Sequence, residues 1–139
     1  MDAGDVSDFD ADGAEFVKTL FSGIGEFMPI KEDKIDAVTG ISGSGPAYVY
    51  LFIQSLVEAG VKNGLTQEQA ISLAVQTVIG GAEMVKRTED KTIPELISSV
   101  CSKGGTTIQA MNVFEKEDFK GTVCRAVDAC VARAKELSK

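Results

Sequence analysis

Residues 44 to 62 read Ser44-Gly45-Pro46-Ala47-Tyr48-Val49-Tyr50-Leu51-Phe52-Ile53-Gln54-Ser55-Leu56-Val57-Glu58-Ala59-Gly60-Val61-Lys62. Ser44 suits a helix N-cap and Pro46 fits the first turn, where a preset φ helps and a missing N–H costs nothing. Tyr48, Val49, Tyr50, Leu51, Phe52, Ile53, Leu56 and Val57 then cover nearly the whole circumference of the helix. A helix that is apolar all round is a buried one. Asn63-Gly64 stops it, and Thr66 with Gln69 forms a capping box opening the next helix, about Gln67 to Lys86. The two make a helical hairpin. Its second arm carries Ile71, Leu73, Ala74, Val75, Val78 and Ile79, again around most of its girth, and Gly80-Gly81 leaves room for a close neighbour. Two such helices are difficult to cover within 139 residues, so the surplus points to a homo-oligomer with a large interface, a tightly packed monomer being the alternative.

Outward from the hairpin the chain stays helical. Phe16, Leu20 and Phe21 put an apolar face on a first helix from about Asp12 to Ser22. A short extended piece follows from Glu26 to Ile30, then a brief helix around Glu32 to Val38, and Thr39 to Pro46 reads as a turn feeding the long helix. Pro94 opens a fifth helix with Leu96, Ile97 and Val100, and a sixth runs from about Thr107 to Glu115. In the last, about Phe119 to Leu137, the residues Phe119, Val123, Ala126, Val127, Cys130, Ala134 and Leu137 recur at helical spacing, with Lys120, Arg125, Arg133 and Lys135 outside. The fold class is therefore all-α, a bundle of about six to seven helices, with residues 1–139 forming a single domain.

Composition narrows the function. A net charge of −7, with lysines scattered and never clustered among aromatics, argues against nucleic acid. The longest apolar run, Ala47 to Ile53, is far shorter than a membrane span. Met1-Asp2-Ala3-Gly4-Asp5 is too acidic for a secretory leader, so the chain reads as cytosolic, and the acidic residues from Asp2 to Asp12 read as a solvated terminus. The three cysteines, Cys101, Cys124 and Cys130, have neither paired spacing nor an even count, so they are expected reduced and mostly buried, with no disulfide framework and no zinc site. No histidine is present, which removes the commonest metal ligand and general base together. No metal is expected.

The stretch that carries chemistry is Cys101-Ser102-Lys103-Gly104-Gly105-Thr106-Thr107. Two glycines let the backbone turn tightly and approach a ligand, and the first amides of the helix beyond them lack intrahelical acceptors. A carboxylate would supply those acceptors, with the hydroxyls of Ser102, Thr106 and Thr107 around it and the helix dipole favouring its charge. Gly-Gly-Thr is also an ordinary helix boundary, with Thr106 or Thr107 as N-cap. Cys101 lacks a histidine partner and does not read as a nucleophile. Tyr48 and Tyr50 read as core or interface residues with satisfied hydroxyls, and Glu89-Asp90 as a surface turn.

Three segments in this order, Ile41-Ser42-Gly43-Ser44-Gly45-Pro46-Ala47-Tyr48, Ala59-Gly60-Val61-Lys62-Asn63-Gly64-Leu65 and Val100-Cys101-Ser102-Lys103-Gly104-Gly105-Thr106-Thr107, resemble the C-terminal domain of pyrroline-5-carboxylate reductase. The likeness runs from Leu20-Phe21-Ser22-Gly23-Ile24-Gly25 through Phe119-Lys120-Gly121 to Ala134-Lys135-Glu136-Leu137, with Lys103 standing where the family usually has proline. The resemblance implies an NADPH- or NADH-dependent oxidoreductase that reduces the ring imine of pyrroline-5-carboxylate to proline, the last step of proline synthesis. It implies an interlocked homodimer that can build into oligomers of dimers. By the same resemblance Ser102, Gly104, Gly105, Thr106 and Thr107 hold the substrate carboxylate, Thr107 faces the ring nitrogen as the candidate catalytic group, and Val100 packs on the ring. The family's dinucleotide sits on a Rossmann domain. No G-x-G-x-x-G between strand and helix is present in this chain, so it reads as the C-terminal half of such an enzyme, with no cofactor expected to bind it alone. Ser42, Gly43, Ser44 and Gly45 read either as a cofactor-side or interface segment or as capping and close packing. The alternative function is a stand-alone dimerisation or regulatory module.

Overall fold

The hairpin organises the molecule in the computed structural model, which describes residues 11–23 and 25–138. Of the helices, α1 spans Ala11–Phe21, α2 Ile35–Val38, α3 Gly45–Lys62, α4 Gln67–Arg87, α5 Ile93–Ser99, α6 Thr106–Lys116 and α7 Phe119–Leu137. No strand occurs among the described residues. Glu26 to Ile30 is irregular, and an ion pair from Glu26 to Lys86 at 2.8 Å ties it to the end of α4. The expected acidic terminus and Ile24 lie outside the described residues.

Helices α3 and α4 meet through Val57, Ala70 and Ala74, the buried apolar residues, with Ile53 and Leu56 packed against them. Their approach is close because Gly60 has no side chain: a Cβ there would lie 3.1 Å from Ala70 Cβ and 3.2 Å from Leu65 Cδ1. The connection is a Schellman turn, in which Gly64 adopts φ 97° and the amides of Gly64 and Leu65 bond the carbonyls of Val61 and Gly60. The Thr66–Gln69 capping box then forms as read from sequence. A second box, Thr92 with Glu95, opens α5 and went unread, although Thr-x-x-Glu is the same signature.

The segment before α3 departs from expectation. Residues Glu32–Lys34 form a 3₁₀ turn, α2 follows, and Thr39–Gly43 is a π turn continuing the helical path, where a non-helical turn was expected. It packs on α7. Gly40 is buried at that contact, since a Cβ would fall 2.7 Å from Val131 Cγ2. Ser44, expected to cap α3 with its hydroxyl, is itself in a helical conformation and forms no side-chain cap. Its Oγ lies 3.1 Å from Cys130 Sγ instead.

Helix α7 starts at Asp118, which holds φ 50°, accepts from the Gly121 amide at 3.2 Å and pairs with Arg125 at 2.8 Å. A Cβ on Gly121 would strike that carboxylate. Phe119 stacks at a tilt on Phe114 of α6 and Phe52 of α3, with centroids 5.1 and 6.4 Å away.

Much of the apolar surface stays open. Tyr50 is 69 % and Leu51 65 % exposed on α3, and Leu73 57 % and Ile79 54 % on α4, so the expected burial of these helices is not completed within one chain. Phe16 and Leu20 of α1 are equally bare. The accessible surface of 11482 Å² is about 1.6 times the roughly 6,900 Å² that a compact monomer of this mass exposes. The cysteines are not buried either: Cys101 and Cys130 are half-buried and Cys124 is exposed.

Candidate carboxylate loop

The loop between α5 and α6 is built by local rules. Helix α5 ends with Val100 and Cys101 donating to the carbonyls of Ile97 and Ser98. Ser102 to Gly105 then form a turn closed by a 3.0 Å bond from the Gly105 amide to the Ser102 carbonyl, with Gly104 at φ 76°. A left-handed third residue beside an ordinary second one is the type II pattern, which requires glycine at Gly104. Gly105 is constrained differently, since a Cβ there would collide with Ser102 Oγ. The hydroxyl thus lies over the bare Gly105 backbone.

Gly105 is also the N-cap of α6 and offers no side-chain acceptor, so the N-cap expected at Thr106 or Thr107 sits one or two positions earlier in the chain. Thr106 and Thr107 are the first two helical residues and both are exposed. Among the described residues no chain acceptor meets their amides, and no hydrogen bond engages the hydroxyls of Ser102, Thr106 or Thr107. Helices α4, α5 and α7, by contrast, start on side-chain caps. The result is a group of neutral donors at the positive end of an eleven-residue helix, an arrangement suited to a small anion. Val100, 64 % exposed, stands at the other edge of the loop.

The fold does not bring every expected residue here. Ser42 and Gly43 lie on the π turn, and Ser44 and Gly45 at its junction with α3. The long-range bond of Ser44 goes to Cys130 on α7, not to the loop. Hydrogen bonds from Ser44 and then Tyr48 hold the Cys130 thiol below its ordinary pKa. The same contact with Cys130, then burial, raises the Tyr48 phenol, against a smaller opposing effect of Ser44. Tyr48 is half-buried beside this contact. This trio went unread because 86 residues separate Ser44 from Cys130 and only tertiary packing joins them.

An open cavity of about 580 Å³ lies beside the loop's flanking helices, lined by Phe52, Ile97, Ile108, Met111, Phe114 and Phe119. It is apolar, with Glu115 and Asp118 among the charged groups on its wall, and none of Ser102 to Thr107 reaches it. Lys120 stands on the same wall and Asp118 is paired with Arg125, so the charges there are mixed and the apolar lining suits apolar side chains. Gly43-Ser44-Gly45-Pro46 is not a dinucleotide fingerprint of the strand-turn-helix kind, since it runs from a π turn into a helix with no strand before it among the described residues. Among the described residues no helix is long and apolar enough to cross a membrane.

Residues 32–137 match the family model for pyrroline-5-carboxylate reductase dimerisation. A pyrroline-5-carboxylate reductase of Arabidopsis thaliana is 47 % identical over 128 residues, covering 92 % of this chain and 46 % of the relative. One from Synechocystis sp. is 45 % identical over 122 residues, covering 88 % and 45 %. Among solved structures, a Plasmodium falciparum pyrroline carboxylate reductase with NADP bound superposes with a TM-score of 0.86 at 41 % identity, over 95 % of this chain and 53 % of that one. The chain thus spans less than half the length of these curated relatives.

Proposed function

Because the chain belongs to the pyrroline-5-carboxylate reductase family through its dimerisation region, we propose that it is the self-associating, carboxylate-holding part of a reductase that converts pyrroline-5-carboxylate to proline with NAD(P)H. The observation that carries this reading is the uncapped start of α6 behind the Ser102–Gly105 turn. The amides of Thr106 and Thr107 and the hydroxyls of Ser102, Thr106 and Thr107 take the ring carboxylate, Gly104 and Gly105 let the backbone close on it, and Val100 packs on the ring. Thr107 faces the ring nitrogen, where the product gains its proton. Reduction adds a hydride to the imine carbon and a proton to nitrogen. The chain's share is positioning, which counts because holding the reacting carbon in one orientation removes much of the entropic barrier. NAD(P)H is the reductant of the whole reaction, and none of the described residues is assigned to it.

A homodimer completes the fold in this reading, and possession of the family's dimerisation region supports it. The bare faces of α3 and α4 and the apolar cavity beside Phe52 and Phe119 supply the surface for it. Dimers assemble further into oligomers of dimers.

Light scattering with calorimetric titration of L-proline tests both parts. The expected result is a particle of twice 14.7 kDa that binds the ring carboxylate, and a Gly105→Ala variant that keeps the mass and loses the binding. A monomer, or a dimer whose binding survives Gly105→Ala, contradicts the reading.

A further inference from the structure

We infer that Lys103 is a specificity-determining residue of this loop, its ammonium selecting an anionic ring ligand over an uncharged one of the same shape. The inference rests on the loop's reading as carboxylate holder. Between Glu95 and Glu115 the chain carries one charged side chain, and it is Lys103. Among the described residues the ion pairs all form elsewhere, so no carboxylate neutralises it. Lys103 is exposed and occupies the second position of the Ser102–Gly105 turn. That turn folds its backbone beside Gly105, the residue at which α6 begins. Lys103 is two residues from the N-cap of α6, and its flexible four-carbon stem lets the ammonium reach the end where the helix dipole is positive.

Magnitudes favour the lysine. A helix end presents about half a unit of charge, whereas Lys103 adds a whole one. Solvent screens both, and exposed charge pairs of this kind change an equilibrium by about two- to five-fold. The lysine is not a catalytic residue: it sets which ligand is drawn to donors that already exist. Because the effect is Coulombic at an exposed site, it falls as salt rises and the Debye length shrinks from about 10 Å at 0.1 M to about 3 Å at 1 M.

The matched probes are cyclopentanecarboxylate and its uncharged amide, titrated into the whole chain and followed by the amide shifts of Gly104 and Gly105 in NMR. In 20 mM salt, Lys103→Met should weaken carboxylate binding about two- to five-fold, Lys103→Glu should weaken it more, and Lys103→Arg should leave it unchanged. Binding of the amide probe should be the same in every variant, and the carboxylate differences should close in 1 M salt. Equal carboxylate affinity for wild type and Lys103→Met at low salt overturns the inference while leaving the loop reading standing. A change of the same size for the amide probe also overturns it, because that marks altered loop shape. If the wild-type loop amides do not respond to the carboxylate at all, the carboxylate-holder reading itself fails and the inference falls with it.

Discussion

Replacing Gly40 by alanine should destabilise the protein through one contact. The new Cβ would sit 2.7 Å from Val131 Cγ2 and 3.4 Å from Val127 Cγ1, where carbon atoms ordinarily rest about 4 Å apart. Valine cannot swing away cheaply, because branching at Cβ leaves it few rotamers. Overpacking by a methyl group costs about 1–3 kcal/mol, and the better helix propensity of alanine in this helical segment returns up to about 1 kcal/mol. The net loss is about 1–2 kcal/mol. With an unfolding entropy near 2.1 cal/mol/K per residue over 139 residues, that corresponds to a fall in Tm of about 3–7 °C. Scanning calorimetry at one fixed protomer concentration reads it. Val131→Ala removes the obstructing methyl, so in that background Gly40→Ala should cost nothing, giving a coupling of about 1 kcal/mol or more in the double-mutant cycle. Additive effects of the two substitutions, or a Gly40→Ala protein melting at or above the wild-type temperature, would refute the claim that the π turn is held against α7 by this close approach.

Lys103→Pro should raise stability by about 0.4–1 kcal/mol, or roughly 1–3 °C in Tm, because the position is second in a type II turn and its amide makes no bond to another described residue; calorimetry that finds a loss would mean the turn differs. The same variant should lose the salt-sensitive carboxylate selectivity. Asp118 has its pKa lowered by Arg125 first, with the Gly121 amide assisting, so its stabilising contribution is present above the ordinary aspartate value and vanishes as pH falls through the lowered one. Thermal melts of wild type and Asp118→Asn should therefore differ at pH 7, draw together as pH falls below about 3.9 and coincide only below the lowered value. Ser44→Ala removes the largest cause of the lowered Cys130 thiol pKa, so the pH midpoint of iodoacetamide alkylation at Cys130, followed by peptide mass spectrometry, should move upward; an unmoved midpoint would show that Ser44 does not hold the thiol.

What could be read from the sequence was what local chemistry decides. The boundaries of α3, α4 and α7 followed from Pro46, Asn63-Gly64, Thr66 with Gln69 and the spacing of Phe119 to Leu137, signals that act within a few residues. The loop's glycines were legible for the same reason. The π turn was not: Thr39-Gly40-Ile41-Ser42-Gly43 has the composition of a loop, and it stays helical because Gly40 lets α7 press against it. Ser44 failed as a cap because Cys130 lies within reach of its hydroxyl. Asp118 escaped notice as a cap because its left-handed backbone is fixed together with the Arg125 pair, and neither is written in the residue beside it.

Among the described residues one chain buries three apolar side chains, Val57, Ala70 and Ala74, which has a consequence for how this protein lives in solution. So few contacts cannot outweigh the conformational entropy of ordering the backbone around them, which costs about 1–2 kcal/mol per residue. In the proposed dimer, folding and self-association are one bimolecular equilibrium. Tm should climb with each tenfold rise in concentration, refolding should follow second-order kinetics, and an unmatched copy is a substrate for proteases until it meets another. Abundance, through mass action, becomes a determinant of shape.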